Sequence, residues 1–303
     1  MAIKDFSLIK NYLMQFRHVE DVGIGFKEVD GVVTNELSIV VNVTEKVSPE
    51  HLPPVENIPA AIDGIPVDVV SYRLIVDEPV ERVAVKDESR YSRMDPLVGG
   101  INIKNKKKNA GLGGTLGAFV TFSPTDKVYA ITNWHVVKRP FWSAKNDPVV
   151  QPHKLDLDDG LIGYVRMLNE KLDIAFIELS GRAAATANKI YGIQGNIVGT
   201  TSPEVGMRVF KSGTRTGVTY GIITKVMSNY ARVEPDPDVY GTADVEISSG
   251  GDSGSVWLYQ AQEGELMAVL LHNLGEKNKL TGVEWASGIR MDVIQKVYAF
   301  RFL

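Results

Sequence analysis

The 303-residue chain contains no cysteine. Disulfides, thiolate nucleophiles, cysteine-ligated zinc and iron–sulfur clusters are excluded together, and nothing demands an oxidising compartment. Histidine is scarce: there are five, and His18, His51 and His153 are scattered with no H-x-x-x-H pair, so neither a metal nor a cofactor is expected. Long apolar runs are missing too, none approaching the roughly 18 residues of a membrane helix. The start, MAIKDFSLIKNYLMQF, mixes acids and bases through an amphipathic pattern instead of the unbroken apolar core of a signal peptide. The expectation is a soluble, cytoplasmic protein without a membrane partner. The sequon Asn42-Val43-Thr44 is accordingly expected to stay unmodified.

An excess of positive charge is also lacking. The formal net charge is -4, which gives no field for neutralising phosphates, so no nucleic-acid partner is expected. The run Lys104-Asn105-Lys106-Lys107-Lys108 is a local exception without interleaved aromatic residues, and it reads as a solvated turn between strands. The glycine-rich GLGGTLG at 111–117 lacks the Lys-Ser/Thr ending of a phosphate loop and reads as a lead into a strand.

What the chain does have is apolar material, 44% of its residues, enough for more than one core. Phe6, Leu8, Ile9, Tyr12, Leu13 and Phe16 recur at helical spacing, which predicts a helix over 4–17. Two β-rich runs then flank a turn at Asp30-Gly31, and GIPVDVVSYRL reads as another strand. These elements make a small α+β domain over 1–78. The charged, proline-bounded stretch 79–96 reads as a linker. From 97 to 303 short apolar runs alternate with Gly, Pro, Asn and Asp: GTLGAFVTF, KVYAITNWHVV, GLIGYVRML, LDIAFIEL, GMRVFKSG, YGIITKVM, ADVEI, SGSVWLY and LMAVLLHNL. That pattern predicts an all-β barrel or sandwich, and only the tail MDVIQKVYAFRF has helical spacing.

GGDSGSVW, residues 250–257, holds Ser253 between an acid and a glycine. A G-D-S-G tetrad closes turns in many proteins, so chemistry needs a histidine and a carboxylate elsewhere. His135 in TNWHVV ends a strand-like run, where a turn can present an imidazole to a cleft. Asp173 in KLDIAFIEL is the acid set against apolar residues, a costly place for a charge unless it is paired. The order His135, Asp173, Ser253 is that of chymotrypsin, and it differs from the orders of α/β-hydrolases and subtilisins. The hydrolase elbow G-x-S-x-G is absent, since Ser255 stands two residues after Ser253.

TNWHVV, LDIAF and GGDSGSVW together resemble the motif blocks of the trypsin-like serine peptidases, in their short bacterial and phage form without disulfides. The resemblance covers about 97–300. The first domain, with VGGINI, GTLGAFV and KSGTRTGVTYGII after it, is similar to the arrangement of NARROW LEAF1-type trypsin-like proteins and their bacterial relatives. The resemblance implies a mainly β, chymotrypsin-like double β-barrel with a C-terminal helix behind a small α+β N-terminal domain. It implies a serine endopeptidase acting on a peptide or protein substrate. In that mechanism Asp173 holds His135, His135 takes the proton of Ser253, and the Ser253 oxygen forms an acyl-enzyme, with the Gly251 and Ser253 amides as oxyanion hole. DPLVGG is similar to the activation terminus of the animal enzymes, but Pro96 precedes the would-be cut, so Asp252 is expected to find an internal partner.

The same resemblance places His272 in the pocket for the residue before the cut, like the pocket histidines of glutamate- and glutamine-reading enzymes. A histidine that simply ends a strand fits the residues equally well. Ile247 stands six residues before Ser253, where trypsin has an acid, which argues against cleavage after Lys or Arg. Two other readings stay open: a catalytically silent peptide-binding module on the same fold, and a protease that cuts only itself near 79–96. The oligomeric state is not legible.

Overall fold

Asp30 and Gly31 both take positive φ, 51° and 79°, the pair of left-handed residues that a tight hairpin needs. They join β1 (Val19–Val29) to β2 (Val32–Val43) in an antiparallel hairpin. The computed structural model describes residues 3, 5–71, 88–108, 113–125, 127–180, 188–241, 244–277, 282 and 284–303. Ahead of the hairpin α1 (Phe6–Leu13) buries Ile9 and Leu13, and after it β3 (Ala61–Ile62) and β4 (Ile65–Val70) complete a small α+β unit. Ile9, Leu13, Val22, Ile39, Val41 and Val43 form its core. The helix is shorter than the predicted span, because Met14 to Phe16 turn the chain toward β1.

The next strands are β5 (Asn102–Asn105), β6 (Gly114–Thr115), β7 (Phe119–Thr121) and β8 (Val128–Thr132). A short turn of helix, α2 (Trp134–Val137), leads to β9 (Pro148–Val150), and α3 (Leu157–Gly160) leads to β10 (Leu161–Asn169) and β11 (Ile174–Leu179). The remaining strands are β12 (Asn196–Thr200), β13 (Arg208–Gly213), β14 (Gly217–Val226) and β15 (Tyr230–Pro235). After α4 (Pro237–Tyr240) come β16 (Val256–Gln262), β17 (Glu265–Lys277), β18 (Glu284–Arg290), α5 (Met291–Tyr298) and β19 (Arg301–Phe302).

These strands make two sheets. The first runs β19-β7-β8-β11-β10-β9-β5-β6. In the second, β13-β16-β17-β18-β15-β14 closes into a six-stranded ring through the β13–β14 pairing. The protein is thus mainly β, with a closed barrel beside a half-barrel, few helices, and a helix near the C-terminus. Leu116, Phe119, Val149 and Ile177 lie in the core of the first sheet, and Trp257, Ile223, Val269 and Leu270 in that of the second. A third cluster joins the two: Val120, Ile131 and Phe176 meet Val256, Leu258 and Leu271 there, capped by Met291, Ile294 and Phe300.

Two sequence expectations meet a different structure. ADVEI forms no strand over its described residues 244–247; it is the approach to the Ser253 turn, with the Ile247 carbonyl taken by Thr219 Oγ1 at 3.2 Å. Of the expected linker, 79–87 lies outside the described residues, whereas Glu88–Tyr91 is a helical turn that buries Arg90 and Tyr91. Arg90 Nη1 donates to the Gly100 carbonyl at 2.9 Å and to Ser212 Oγ at 2.6 Å. Of the lysine run, Lys104 falls inside β5, while Lys106 pairs with Asp156 at 2.9 Å and Lys107 reaches Asp147 at 3.4 Å. In the glycine-rich stretch, 111 and 112 lie outside the described residues and Gly114-Thr115 forms β6.

Candidate active site

The C-terminal end of β8, inside the first sheet between β7 and β11, delivers Asn133 and α2, and the β10–β11 turn delivers Asp173 beside them. Asp173 has φ 42°, a left-handed conformation that aspartate tolerates better than most residues. The turn is fixed from both ends: the Asp173 amide donates to the Glu170 carbonyl at 3.1 Å, and Asn133 Nδ2 donates to the Asp173 carbonyl at 2.9 Å. Held this way, the carboxylate takes two hydrogen bonds from one residue. The His135 amide reaches Oδ1 at 3.0 Å and His135 Nδ1 reaches Oδ2 at 2.8 Å. A carboxylate only accepts, so Nδ1 carries the hydrogen and Nε2 keeps its lone pair for another proton.

Ser253 comes from the other sheet, in the turn before β16. That turn docks on the first sheet through Thr115: its amide donates to the Ser253 carbonyl at 2.8 Å, and its Oγ1 to the Gly251 carbonyl at 2.8 Å. Two glycines allow the approach. A Cβ on Gly254 (φ +96°) would lie 2.2 Å from the Thr115 carbonyl oxygen and 2.3 Å from Thr132 Oγ1. A Cβ on Gly114 would meet Val136 Cγ2 at 2.5 Å and the Ser253 carbonyl oxygen at 2.9 Å. The histidine turn and the serine turn therefore lie on either side of one glycine.

Gly251 takes φ +117°, open to glycine and strained for other residues. Among the described residues the Gly251 and Ser253 amides donate no hydrogen bond, whereas those of Asp252, Gly254 and Ser255 donate to the carbonyls of Ser249, His272 and Asp252. Two adjacent free donors in a braced turn are what an oxyanion requires. Ser253 Oγ makes one long hydrogen bond, 3.5 Å to the Asn273 carbonyl, and among the described residues none joins it to His135.

Asp252 has its internal partner. Its carboxylate is fully buried and faces Lys211 Nζ at 3.2 Å, with Thr216 Oγ1 at 2.7 Å and the amides of Arg215, Thr216 and Ser249 at 2.7, 3.1 and 3.1 Å. Burial pushes this carboxyl up, but Lys211, His272, the Thr216 hydroxyl and the Arg215 amide outweigh it and hold it below the usual range. The ionised Asp252 pins the main chain beside Ser253. Lys211 stands in KSGTRTGVTYGII, a stretch singled out in the sequence only for its likeness to NARROW LEAF1-type proteins; a lone lysine in a strand gives no sign of this role.

His272 lies on β17, only 1% exposed. The Trp257 indole donates to Nδ1 at 3.3 Å. An indole N–H cannot accept, so the hydrogen of the neutral ring sits on Nε2, which faces Ser248 Oγ at 2.9 Å. Burial, reinforced by Lys211, lowers this imidazole to about 3. The ring is thus a neutral donor at any ordinary pH, with Ser248 Oγ taking the Nε2 hydrogen. Ser248 and Glu284 both belong to this neighbourhood and escaped the sequence reading: Glu284 Oε1 accepts the Ser248 amide at 2.6 Å.

Among the described residues no group of His, Asp and Glu is arranged to hold a metal ion, and no helix is long and apolar enough to cross a membrane. No protein-family model and no curated protein matches the chain. Solved structures do match. A glutamic acid-specific serine protease described as using a histidine triad in substrate binding is 18% identical, over 68% of this chain and 100% of its own, with TM-score 0.49. Cellulomonas bogoriensis chymotrypsin is 18% identical, over 68% of this chain and 97% of its own, with TM-score 0.47. Thermobifida fusca protease A is 17% identical with the same coverage and TM-score 0.46. The neighbours are thus bacterial serine proteases of the double-barrel, chymotrypsin-like type. None of the comparisons supports the likeness of the N-terminal unit to NARROW LEAF1-type proteins.

Proposed function

We propose that this chain is a serine endopeptidase that cuts peptide bonds through an acyl-enzyme. The supporting observation is the pairing of His135 with Asp173 in the tautomer that leaves Nε2 basic, next to a glycine-braced serine turn with two free amides. In this reading Ser253 turns about χ1 from the Asn273 carbonyl toward His135 Nε2, which accepts its proton as the oxygen attacks the substrate carbonyl. Catalytic hydrogen bonds are commonly loose before substrate arrives. The Gly251 and Ser253 amides stabilise the developing oxyanion, each donor contributing about 3 kcal/mol. His135 then protonates the leaving amine and activates the water that releases the acyl group.

For the residue before the cut we propose a neutral polar side chain, glutamine ahead of glutamate. The Ser248 hydroxyl, whose oxygen accepts from the neutral His272 ring, offers a donor without a positive charge, which suits an amide and leaves a carboxylate uncompensated. A library of quenched peptides tests the reading: the wild type cleaves, and Ser253→Ala and His135→Ala do not. The runner-up is a silent peptide-binding module, favoured by the long Ser253 Oγ bond to Asn273. Peptides bound but returned intact by the wild type would make that the function.

A further inference from the structure

Glu284 is the buried acid that this mechanism leaves unused. It opens β18, is 4% exposed, and its Oε2 has no hydrogen-bond partner among the described residues. Oε1 accepts the Ser248 amide, and the Ile247 amide also reaches the carboxyl. A polar line therefore runs inward from the serine: Ser253 Oγ to the Asn273 carbonyl, the adjoining His272, its Nε2 to Ser248 Oγ, and the Ser248 amide to Glu284. Gly275 flanks that line without covering it; a Cβ there would lie 2.1 Å from Ser248 Oγ. An orphaned carboxyl oxygen in the interior is costly, and a side chain entering from the cleft with a donor would remove that cost.

We infer that Glu284 forms the inner end of the pocket for the residue before the cut, taking an amide while its carboxyl is protonated and a cation once it is ionised. This deepens the peptidase reading and rests on it. Burial raises the carboxyl to about 8, helped by Glu246 on the approaching segment and opposed by the Ser248 and Ile247 amides and by Lys211 of β13. Among the described residues, other charged or titratable groups on packed elements are His272 of β17, Arg232 of β15 over the Trp285 ring, and Asp252 paired with Lys211. Below the transition the acid is a neutral donor and acceptor. Above it, the carboxylate repels an acidic side chain and attracts an ammonium or guanidinium.

Three peptides that differ only in Gln, Glu or Lys before the cut test this, with kcat/KM followed across neutral and alkaline pH in wild type and Glu284→Gln. In wild type the Lys-to-Gln ratio should rise about a hundredfold between pH 7 and 9, because the ionised fraction that takes Lys rises about tenfold while the protonated fraction that takes Gln falls about tenfold, with Glu poor throughout. In Glu284→Gln, whose carbonyl oxygen can keep the Ser248 bond, the ratio should stay flat and favour Gln. A flat ratio in wild type, or the same rise in the variant, would overturn the inference. Inhibition of the wild type by butylammonium gives a readout free of any folding defect: it should tighten with pH, and constant inhibition would count against Glu284. Fluorophosphonate labelling of Ser253, run alongside, separates the two claims. Labelling with a flat ratio removes only the Glu284 role; no labelling in wild type removes the peptidase reading and this role with it.

Discussion

Asp173 and Trp257 each decide where one hydrogen sits on an imidazole, and they decide in opposite senses. Asp173 puts it on His135 Nδ1, while Trp257 keeps it off His272 Nδ1. Asp173→Asn keeps the size but can present an N–H to Nδ1, which forces the other tautomer. We expect turnover to fall roughly 10⁴-fold with little change in melting temperature, read by peptide hydrolysis beside a thermal scan. His272 has a stability consequence as well. Its folded value near 3 lies below the unfolded 6.5, so the unfolded chain takes up a proton first. Stability is lost as pH falls from about 6.5 toward 3. His272→Gln should flatten the urea midpoint against pH over that window. Glu284 has the opposite sign: folded near 8 and unfolded at 4.5, it costs stability as pH rises between those values. Glu284→Gln should therefore gain on the wild type as pH rises from 5 to 8.5, by urea titration at each pH.

At the scale of elements, the serine turn is held by a buried charge pair, and the pair is the vulnerable part. Lys211→Met leaves Asp252 charged with only its neutral donors, and the loss should be about 3–5 kcal/mol. The Gly251 and Ser253 amides would lose their alignment, so activity should fall beyond the share that has unfolded. Denaturant titration with active-site counting separates the two effects. The elements themselves were unevenly legible. The Asp30-Gly31 hairpin was readable because its turn chemistry is local, and β11 because its apolar run is continuous. β5, β9 and β18 were not named: NIKN is polar, PVV is too short to show alternation, and EWASGIR carries charge at both ends. ADVEI has a strand's composition yet serves as a loop, since ladder partners are set by distant sequence. The residues around the serine divide in the same way. His135, Asp173 and Ser253 were picked out because each sits in a distinctive local context. Lys211, Ser248 and Glu284 were missed because the partners that tie them to this site, Asp252, His272 and Ser248, lie 24 to 41 residues away in sequence.

Over the whole molecule, the N-terminal unit is joined to the closed barrel by more than its chain. β1 pairs with β14 at Ile24–Val226 and Gly25–Lys225, extending one sheet across both. Glu28 meets Lys225 at 3.0 Å and Arg232 at 3.3 Å, and Asp21 accepts the Ser228 amide at 3.0 Å and Lys10 Nζ at 3.0 Å. Burial pushes Glu28 up, but Lys225 and Arg232 prevail and keep it below the usual carboxylate range. Glu28→Ala should cost about 2 kcal/mol at neutral pH, and the deficit should shrink as acid protonates the wild-type carboxyl. Paired thermal scans at pH 7 and 3.5 check both points. Packing that places this unit against the β14 edge gives it a part in stabilising the barrel that carries Ser253.

The proposed catalysis requires Ser253 to be a nucleophile activated by His135. Intact-mass analysis after exposure to a fluorophosphonate tests that most directly: it should show one adduct per chain, mapped to Ser253, absent in Ser253→Ala and strongly slowed in His135→Ala. A wild-type chain that stays unmodified, or is modified at the same rate without His135, would contradict it.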